Sequence, residues 1–512
     1  MSRLFLFAIG GTGARVVKSL TYLLASGVKL RNTTQVVPIL MDPHAENKDL
    51  KRTKEILNYY QNVRSSLQNP PAAGLFGTDI QTLKRQLPSA AISDSFQYEL
   101  KGVSDEKYGN YIGYDSLDEA NEALAGLLFS REQLDTKMDI GFVGNPNIGS
   151  VVLNQFRESE EFKAFVSSYK KEDKVFIVSS IFGGTGASGF PLILKNIRGY
   201  GGSDAKDVRE ARIGAVSVQP YFDVYSAGAQ DKAIDNATFI SKTKAALGYY
   251  QNSLSNKEYP KLNALYYIAE SYRSPNEYDP GAGGQQNDAH YVEMISALSI
   301  VDFCEHTSEM ECTVRDGQII ARNPRYAEFG LNTSNSRLNF TDFVDRSRQV
   351  FAQPLTKLAI LSQYLKTRVE RDSILGSNSA PWTSKEAPKI GSDFKQTKFY
   401  RNLHDFNENF RAWLSEMNDQ DRNIFNKRTF RPFNLATEDL GKFIPGFERT
   451  KKNFIGKTVD VQIEMNKGDF DEYLNAESKG KTFVTAEDKF LSLMNTCTEQ
   501  FVQKEYPQLA AN

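Results

Sequence analysis

The residues in this 512-residue chain whose types and spacing could do chemistry are mostly small. Phe182-Gly183-Gly184-Thr185-Gly186-Ala187-Ser188-Gly189 follows an apolar, β-branched run at 175–178 and precedes a run at 191–197 that reads as a helix. A strand, a glycine turn and a helix present a row of backbone N–H groups to an anion, with the helix dipole behind them. Glycine lets the backbone approach a phosphate closely, and Thr185 and Ser188 add hydroxyl donors. A second turn, Gly10-Gly11-Thr12-Gly13-Ala14, lies between a strand at 4–9 and a helix at 15–25. The next strand, 36–41, ends at Asp42-Pro43-His44, which completes a βαβ unit. A dinucleotide-binding fingerprint would need a third glycine where Val16 stands and an acid at the end of the second strand, where Asp42 serves. A tight turn with no ligand accounts for those residues equally well.

Other chemistries have little to work with. Cys304, Cys312 and Cys497 have no metal-ligand spacing and cannot build a disulfide framework, and the 4 histidines are not clustered, which argues against zinc. A net charge of −1 supplies no basic field for nucleic acid or for an anionic membrane. No apolar run reaches the ~18 residues of a membrane span, and the amino terminus lacks a signal-peptide cleavage site. A reducing cytoplasm is the expected location. The length is that of a chain with two or more domains.

The elements that must position the turns alternate. A turn-rich stretch at 139–150 leads into a helix at 151–156. A strand at 212–218 ends in Gln219-Pro220-Tyr221-Phe222-Asp223, and one at 262–269 ends at Glu270. A helix at 289–303 is headed by Asn287-Asp288. This alternation predicts an α/β fold with a doubly wound, mainly parallel sheet, whose ligands bind at the carboxyl ends of the strands. Every glycine- or Asx-rich stretch named above falls at such an end. Residues 46–137 are polar, with helical pieces at 51–61 and 117–128. They read as an insertion over one edge of the first domain, either a partner-contact surface or a solvated elaboration.

Taken in order, these stretches resemble the tubulin and FtsZ superfamily of GTPases. The phosphate signature of that family resembles residues 182–189, with Phe182 in place of the first glycine. Its amino-terminal nucleotide loop resembles residues 10–14. Gly144-Asn145-Pro146-Asn147-Ile148-Gly149 matches its γ-phosphate loop, Gln219-Pro220-Tyr221 stands where it has Lys-Pro-Phe, and Asn287-Asp288 resembles the pair heading its central helix. The resemblance implies GTP or GDP as ligand, Mg²⁺ near Asp42, and Gly10, Gly11, Thr12, Gly13, Gly144, Asn145, Gly183, Gly184, Thr185, Gly186, Ala187, Ser188, Pro220 and Glu270 around the nucleotide. It also implies Asn287 as the guanine reader, although Asn in that place is equally suited to capping a helix. In the family, acidic residues after the central helix complete the site of the next subunit in a filament. Asp302 and Glu305 resemble that pair, but lie about two helical turns too close to Asn287.

The expected organisation is a nucleotide-binding domain at 1–286, a central helix at 287–306 and a divergent, helix-rich α+β carboxyl domain at 307–512. In the last, a hairpin is expected around Asp316-Gly317, a helix at 340–365 interrupted near Pro354, an exposed connection at 375–398, aromatic helices near 406–413 and 490–501, and a strand at 458–464. Two function classes follow. One is a GTPase that stacks head to tail with copies of itself. The other is a nucleotide-binding sensor or scaffold with little turnover, whose insertion and carboxyl domain hold a partner.

Overall fold

Both glycine turns lie at the middle of one parallel sheet in the computed structural model. It describes residues 2–44, 47–103, 106–138, 142, 145–201, 206–225, 236–254, 261–270, 274–277, 286–315, 317–322, 324–328, 331, 335–418, 428–445, 450–452, 458–460 and 467–509. Among the described residues the sheet has eight strands. Asp79–Ile80 lies at one edge, followed by Gln35–Met41, Arg3–Ile9, Lys174–Ser180, Arg212–Val218, Ala264–Ile268 and, at the other edge, Arg325–Glu328. The eighth strand, Gln97–Tyr98, also pairs with Gln35–Met41. Chain order reverses between Arg3–Ile9 and Lys174–Ser180, which pair in register from Leu4 opposite Lys174 to Ala8 opposite Val178. That reversal opens the crevice in which doubly wound sheets bind ligands.

The central strands are buried on both faces, as continuous apolar runs require. Phe5 and Phe7 meet Phe165 of the Glu160–Ser168 helix at ring separations of 5.0 and 5.2 Å. On the opposite face Phe176 meets Phe303 of the Tyr291–His306 helix at 5.2 Å. The central helix also packs along the Gly10–Ser26 helix.

Several elements begin elsewhere than the sequence indicates. The helices after the glycine turns start within the turns, at Gly10 and Gly184, and run to Ser26 and Arg198. Low helix propensity hides these starts, because five glycines fall in the first turns. Likewise Pro146, at a position where its missing N–H costs nothing, starts the helix Pro146–Leu153. The central helix begins at Tyr291, with His290 as cap and Glu293 closing a capping box, so Asn287 and Asp288 precede it and Asn287 is not its cap. The stretch at 46–137 is in part core. It supplies the two short strands at 79–80 and 97–98, and its Lys48–Ser65 helix packs on Gly10–Ser26.

The carboxyl-terminal part is built on three long helices, Asp345–Tyr364, Lys398–Asn418 and Ala486–Glu505. The first of these passes through Pro354 without interruption, held by buried residues from Leu355 to Tyr364. The Ser-, Pro- and Gly-rich stretch at 375–398 is not an exposed connection, because Trp382 within it is fully buried against Phe490. The hairpin is present as Glu311–Arg315 paired with Gln318–Arg322, although Asp316 lies outside the described residues. A strand at Thr458–Asp460 pairs with Thr450–Lys452, and 461–464 lies outside the described residues.

Trp413 fastens the carboxyl-terminal helices to the first helix. It is fully buried, its ring lies 5.0 Å from Tyr22, and its indole N–H donates to Ser19 Oγ at 3.3 Å. Trp413→Ala should lower stability by about 3–5 kcal/mol through cavity formation, read as a fall in the urea midpoint at unchanged m value. Trp413→Phe should lose less.

Candidate functional site

The helices Gly10–Ser26 and Gly184–Arg198 begin side by side at the sheet's reversal point. A Cβ on Gly10, whose φ is +73°, would lie 3.6 Å from Thr185 Cβ, so the two first turns touch. The second helix enters so close to its strand that a Cβ on Gly186 would lie 2.5 Å from the Ser180 carbonyl oxygen, which only glycine permits. Neither helix has a side chain capping its N-terminus: the cap residues are Ile9 and Gly183, and neither makes a side-chain hydrogen bond there. The Pro146–Leu153 helix, packed along Gly184–Arg198, has Asn145 as cap and no side-chain cap bond either. Unsatisfied N–H groups at such ends are the natural partners of an anion.

Within the second turn the donors are not equivalent. The Ala187 N–H donates to the Gly183 carbonyl at 3.0 Å and closes the first helical bond. The Ser188 hydroxyl donates back to the Gly184 carbonyl at 2.7 Å. The N–H groups of Gly184, Thr185 and Gly186 remain as the first-turn donors. Phe182 stands edge-on to Phe222 at 5.3 Å and near Tyr221 at 6.1 Å, forming an aromatic wall beside the turn.

Beneath the first turn lies a buried charge network. The Arg15 guanidinium donates from Nε to Glu293 Oε1 at 2.5 Å, from Nη1 to Asp49 Oδ2 at 2.6 Å, and from Nη2 to Tyr221 O–H at 2.7 Å and Thr12 Oγ1 at 3.2 Å. Tyr221 in turn donates to Glu293 Oε1 at 2.8 Å. Burial works against the Arg15 charge, but Tyr221, Glu293 and Asp49 around it more than offset that and hold its pKa well above the ordinary value. Burial also pushes the Tyr221 phenol up, so it stays a neutral donor. Asn287 joins the network, its backbone N–H and its Nδ2 donating to Asp49 at 3.2 and 3.0 Å.

Asp42 follows the Gln35–Met41 strand and is buried. Its Oδ1 accepts from the His44 N–H at 2.9 Å and its Oδ2 from Asn47 Nδ2 at 3.2 Å. Burial raises its pKa to about 7, more than those two hydrogen bonds lower it. No group of three or more metal-ligating side chains occurs among the described residues. A Mg²⁺ beside Asp42 would therefore need phosphate oxygens and water to complete its shell.

The structure gathers Gly10, Gly11, Thr12 and Gly13 with Gly183, Gly184, Thr185, Gly186, Ala187 and Ser188, and sets Asn145, Pro220 and Glu270 at neighbouring element ends. The Asn145 Oδ1 accepts from Gln133 Nε2 at 3.3 Å, and Glu270 is 3.7 Å from Arg428 of the carboxyl-terminal part. Gly144 lies outside the described residues. Asp302 and Glu305 lie elsewhere. Both are inside the central helix, about 16 and 21 Å along its axis from Tyr291. Asp302 accepts from Tyr266 O–H at 2.7 Å and pairs with Arg325 at 3.3 Å; Glu305 pairs with Arg31 at 2.6 Å. Sequence reasoning missed Arg15, Asp49 and Glu293. The available signal was a charge set inside an apolar run, as in Ala14-Arg15-Val16-Val17 and Tyr291-Val292-Glu293-Met294-Ile295.

No known protein family model matches the chain, and no curated protein matches it in sequence. Among solved structures, CetZ2 from Haloferax volcanii, in a GTPγS-bound protofilament, is similar at 12% identity and a TM-score of 0.27, over 60% of this chain. The match spans 57% of that protein's length.

Two outcomes test the electrostatics. Glu293→Ala leaves the Arg15 charge buried with one carboxylate fewer and should cost about 3–5 kcal/mol in chemical denaturation; Arg15→Met combined with Glu293→Met should recover most of it. The raised Asp42 pKa means that the folded state holds a proton the unfolded state releases near pH 4. Stability from this group therefore falls as pH rises from about 4 to about 7 and is flat above. Asp42→Asn should remove that slope, read as a urea midpoint that no longer falls between about pH 4 and 7; at pH 8 its gain is limited because an amide keeps one acceptor for the two donors, His44 N–H and Asn47 Nδ2.

Proposed function

We propose that this chain is a tubulin- and FtsZ-like GTP-binding protein that assembles head to tail, with nucleotide held between copies. The observation that carries the reading is the pair of uncapped helix N-termini meeting at the sheet's reversal point. In this reading residues 10–13 and 183–186 surround the phosphates with backbone donors, and no P-loop lysine is needed. The ordered motifs of the resemblance support guanine as the base. With its Nδ2 turned to Asp49, the Asn287 carboxamide presents its oxygen to the N–H donors of a purine edge. A Mg²⁺ fits beside Asp42, because a cation there would relieve the cost of a buried carboxylate, and its role is to neutralise phosphate charge. Asp42, Thr12 and the first-turn N–H groups bind and orient; the Arg15 network holds the first turn rigid.

The ends of the central helix bear on assembly. Asn287 and Glu293 lie beside the glycine turns, while Asp302 and Glu305 lie at its far end, against Arg325 and Arg31. A carboxylate there meets a nucleotide only if the nucleotide belongs to another copy. A second reading, nucleotide binding with little turnover, is favoured by the engagement of Asp302 with Tyr266 and Arg325, which leaves it poorly placed to orient water.

The test is GTP hydrolysis against protein concentration, with light scattering alongside. Specific activity that rises above a threshold, with scattering that requires GTP, supports catalysis between copies. Tight binding with flat, negligible turnover supports the second reading. For the site itself, Gly183 is the position to fill, since a Cβ there would meet only Ser180 Oγ, at 3.3 Å. Gly183→Trp should reduce GTP affinity at least 100-fold (about 2.7 kcal/mol) with little change in melting temperature; undiminished binding would sink the assignment.

A further inference from the structure

A side chain reads a base only if its backbone is held still, and residues 286–290 belong to neither helix nor strand. Hydrogen bonds to two carboxylates hold this segment. The Asn287 backbone N–H and Nδ2 both reach Asp49, which is also a partner of Arg15. Two residues on, the Ala289 N–H donates to Glu416 Oε2 at 2.8 Å. The other oxygen of Glu416 accepts from Arg52 Nη2 at 2.6 Å. Asp49 and Arg52 belong to one helix, Lys48–Ser65, which therefore stands behind both attachments.

Glu416 comes from the carboxyl-terminal part, two residues before the end of the Lys398–Asn418 helix. That helix gains nothing from an acid there, because a carboxylate in a last turn opposes the helix dipole. At the head of the central helix the same charge is favourable. Ala289 lies two residues before Tyr291, at the positive end of Tyr291–His306. A bond from a backbone N–H to a carboxylate is also of the stronger, charge-assisted kind. One turn earlier, Trp413 locks the same helix to Tyr22 and Ser19. The carboxylate is thus delivered by a buried, packed element.

We propose that Glu416 is a positioning residue for base recognition: through the Ala289 N–H it sets where the Asn287 carboxamide stands, and with it the preference for guanine. The inference rests on the nucleotide reading above and adds to it a residue 127 positions from Ala289. In that reading the phosphates are met by residues 10–13 and 183–186. A displaced Asn287 should therefore weaken guanine recognition and leave phosphate binding as it was.

Two variants separate position from charge. Glu416→Gln keeps an acceptor for the Ala289 N–H and loses the charge beside Arg52. Glu416→Asp keeps the charge and is one methylene too short to reach both partners. Each full-length chain is titrated with GTP and with ATP in the presence of Mg²⁺, and its melting temperature is recorded. The parent should bind GTP more tightly than ATP. Glu416→Asp should lower the GTP-to-ATP affinity ratio about tenfold, the worth of one well-placed hydrogen bond, with ATP affinity unchanged. Glu416→Gln should hold the ratio while melting lower, whereas a merely structural role would make the ratio follow the melting temperature. A parent-like ratio in Glu416→Asp, an equal loss in Glu416→Gln, or parallel losses of GTP and ATP overturns the proposal. A parent chain that binds neither nucleotide overturns the nucleotide reading itself, which those three outcomes leave standing.

Discussion

Everything around the candidate site depends on one buried cation. Arg15 joins the first helix to Asp49 on the second, to Tyr221 at the end of the 212–218 strand, and to Glu293 on the central helix. No single ion pair at this depth is worth much against an apolar alternative, because desolvation cancels most of the attraction. What such a network does supply is a geometry that tolerates no partial version of itself, since each missing partner leaves a charge stranded. Four segments distant in sequence are thereby fixed at one point beneath the glycine turns. Through Thr12 the network also holds the first glycine turn in place.

A second buried basic side chain lies one turn along the same helix. Lys18 is fully buried, and burial lowers its pKa, partly countered by Glu293 and Glu416. The first helix therefore carries two basic side chains inward, between the sheet and the carboxyl-terminal helices. Tyr22, on the next turn, meets Phe406, Phe410 and Trp413. The carboxyl-terminal part is consequently not an appendage. It closes the polar interior that the site stands on.

Much of the sheet was legible in the sequence, because parallel strands buried on both faces read as apolar runs: 4–9, 36–41 and 175–178 are unbroken, and 212–218 is apolar apart from Arg212 and Ser217. The glycine turns were legible as turns but not as helix starts, since propensity gives no credit to Gly10-Gly11 or Gly183-Gly184 at an N-terminus where close approach decides. The site's polar foundation was hidden for another reason. Arg15 and Glu293 are 278 positions apart, with Asp49 between them, and no local pattern announces that they meet. Trp382 shows the same limit from the apolar side: a Ser-, Pro- and Gly-rich surrounding reads as surface, while one large side chain needing burial overrides it.

The sheet's edges are short. Asp79–Ile80 and Gln97–Tyr98 offer two residues each at one side, and Arg325–Glu328 four at the other. Unpaired strand edges are the usual templates on which proteins add strands to one another, and long flat ones do so without regard to side-chain fit. Edges this brief hold too few backbone groups to recruit a neighbour that way. Among the described residues, a contact at these edges would then have to be read through side chains, where a single charge or methyl group can permit or forbid a partner and where association can be undone without unfolding a sheet.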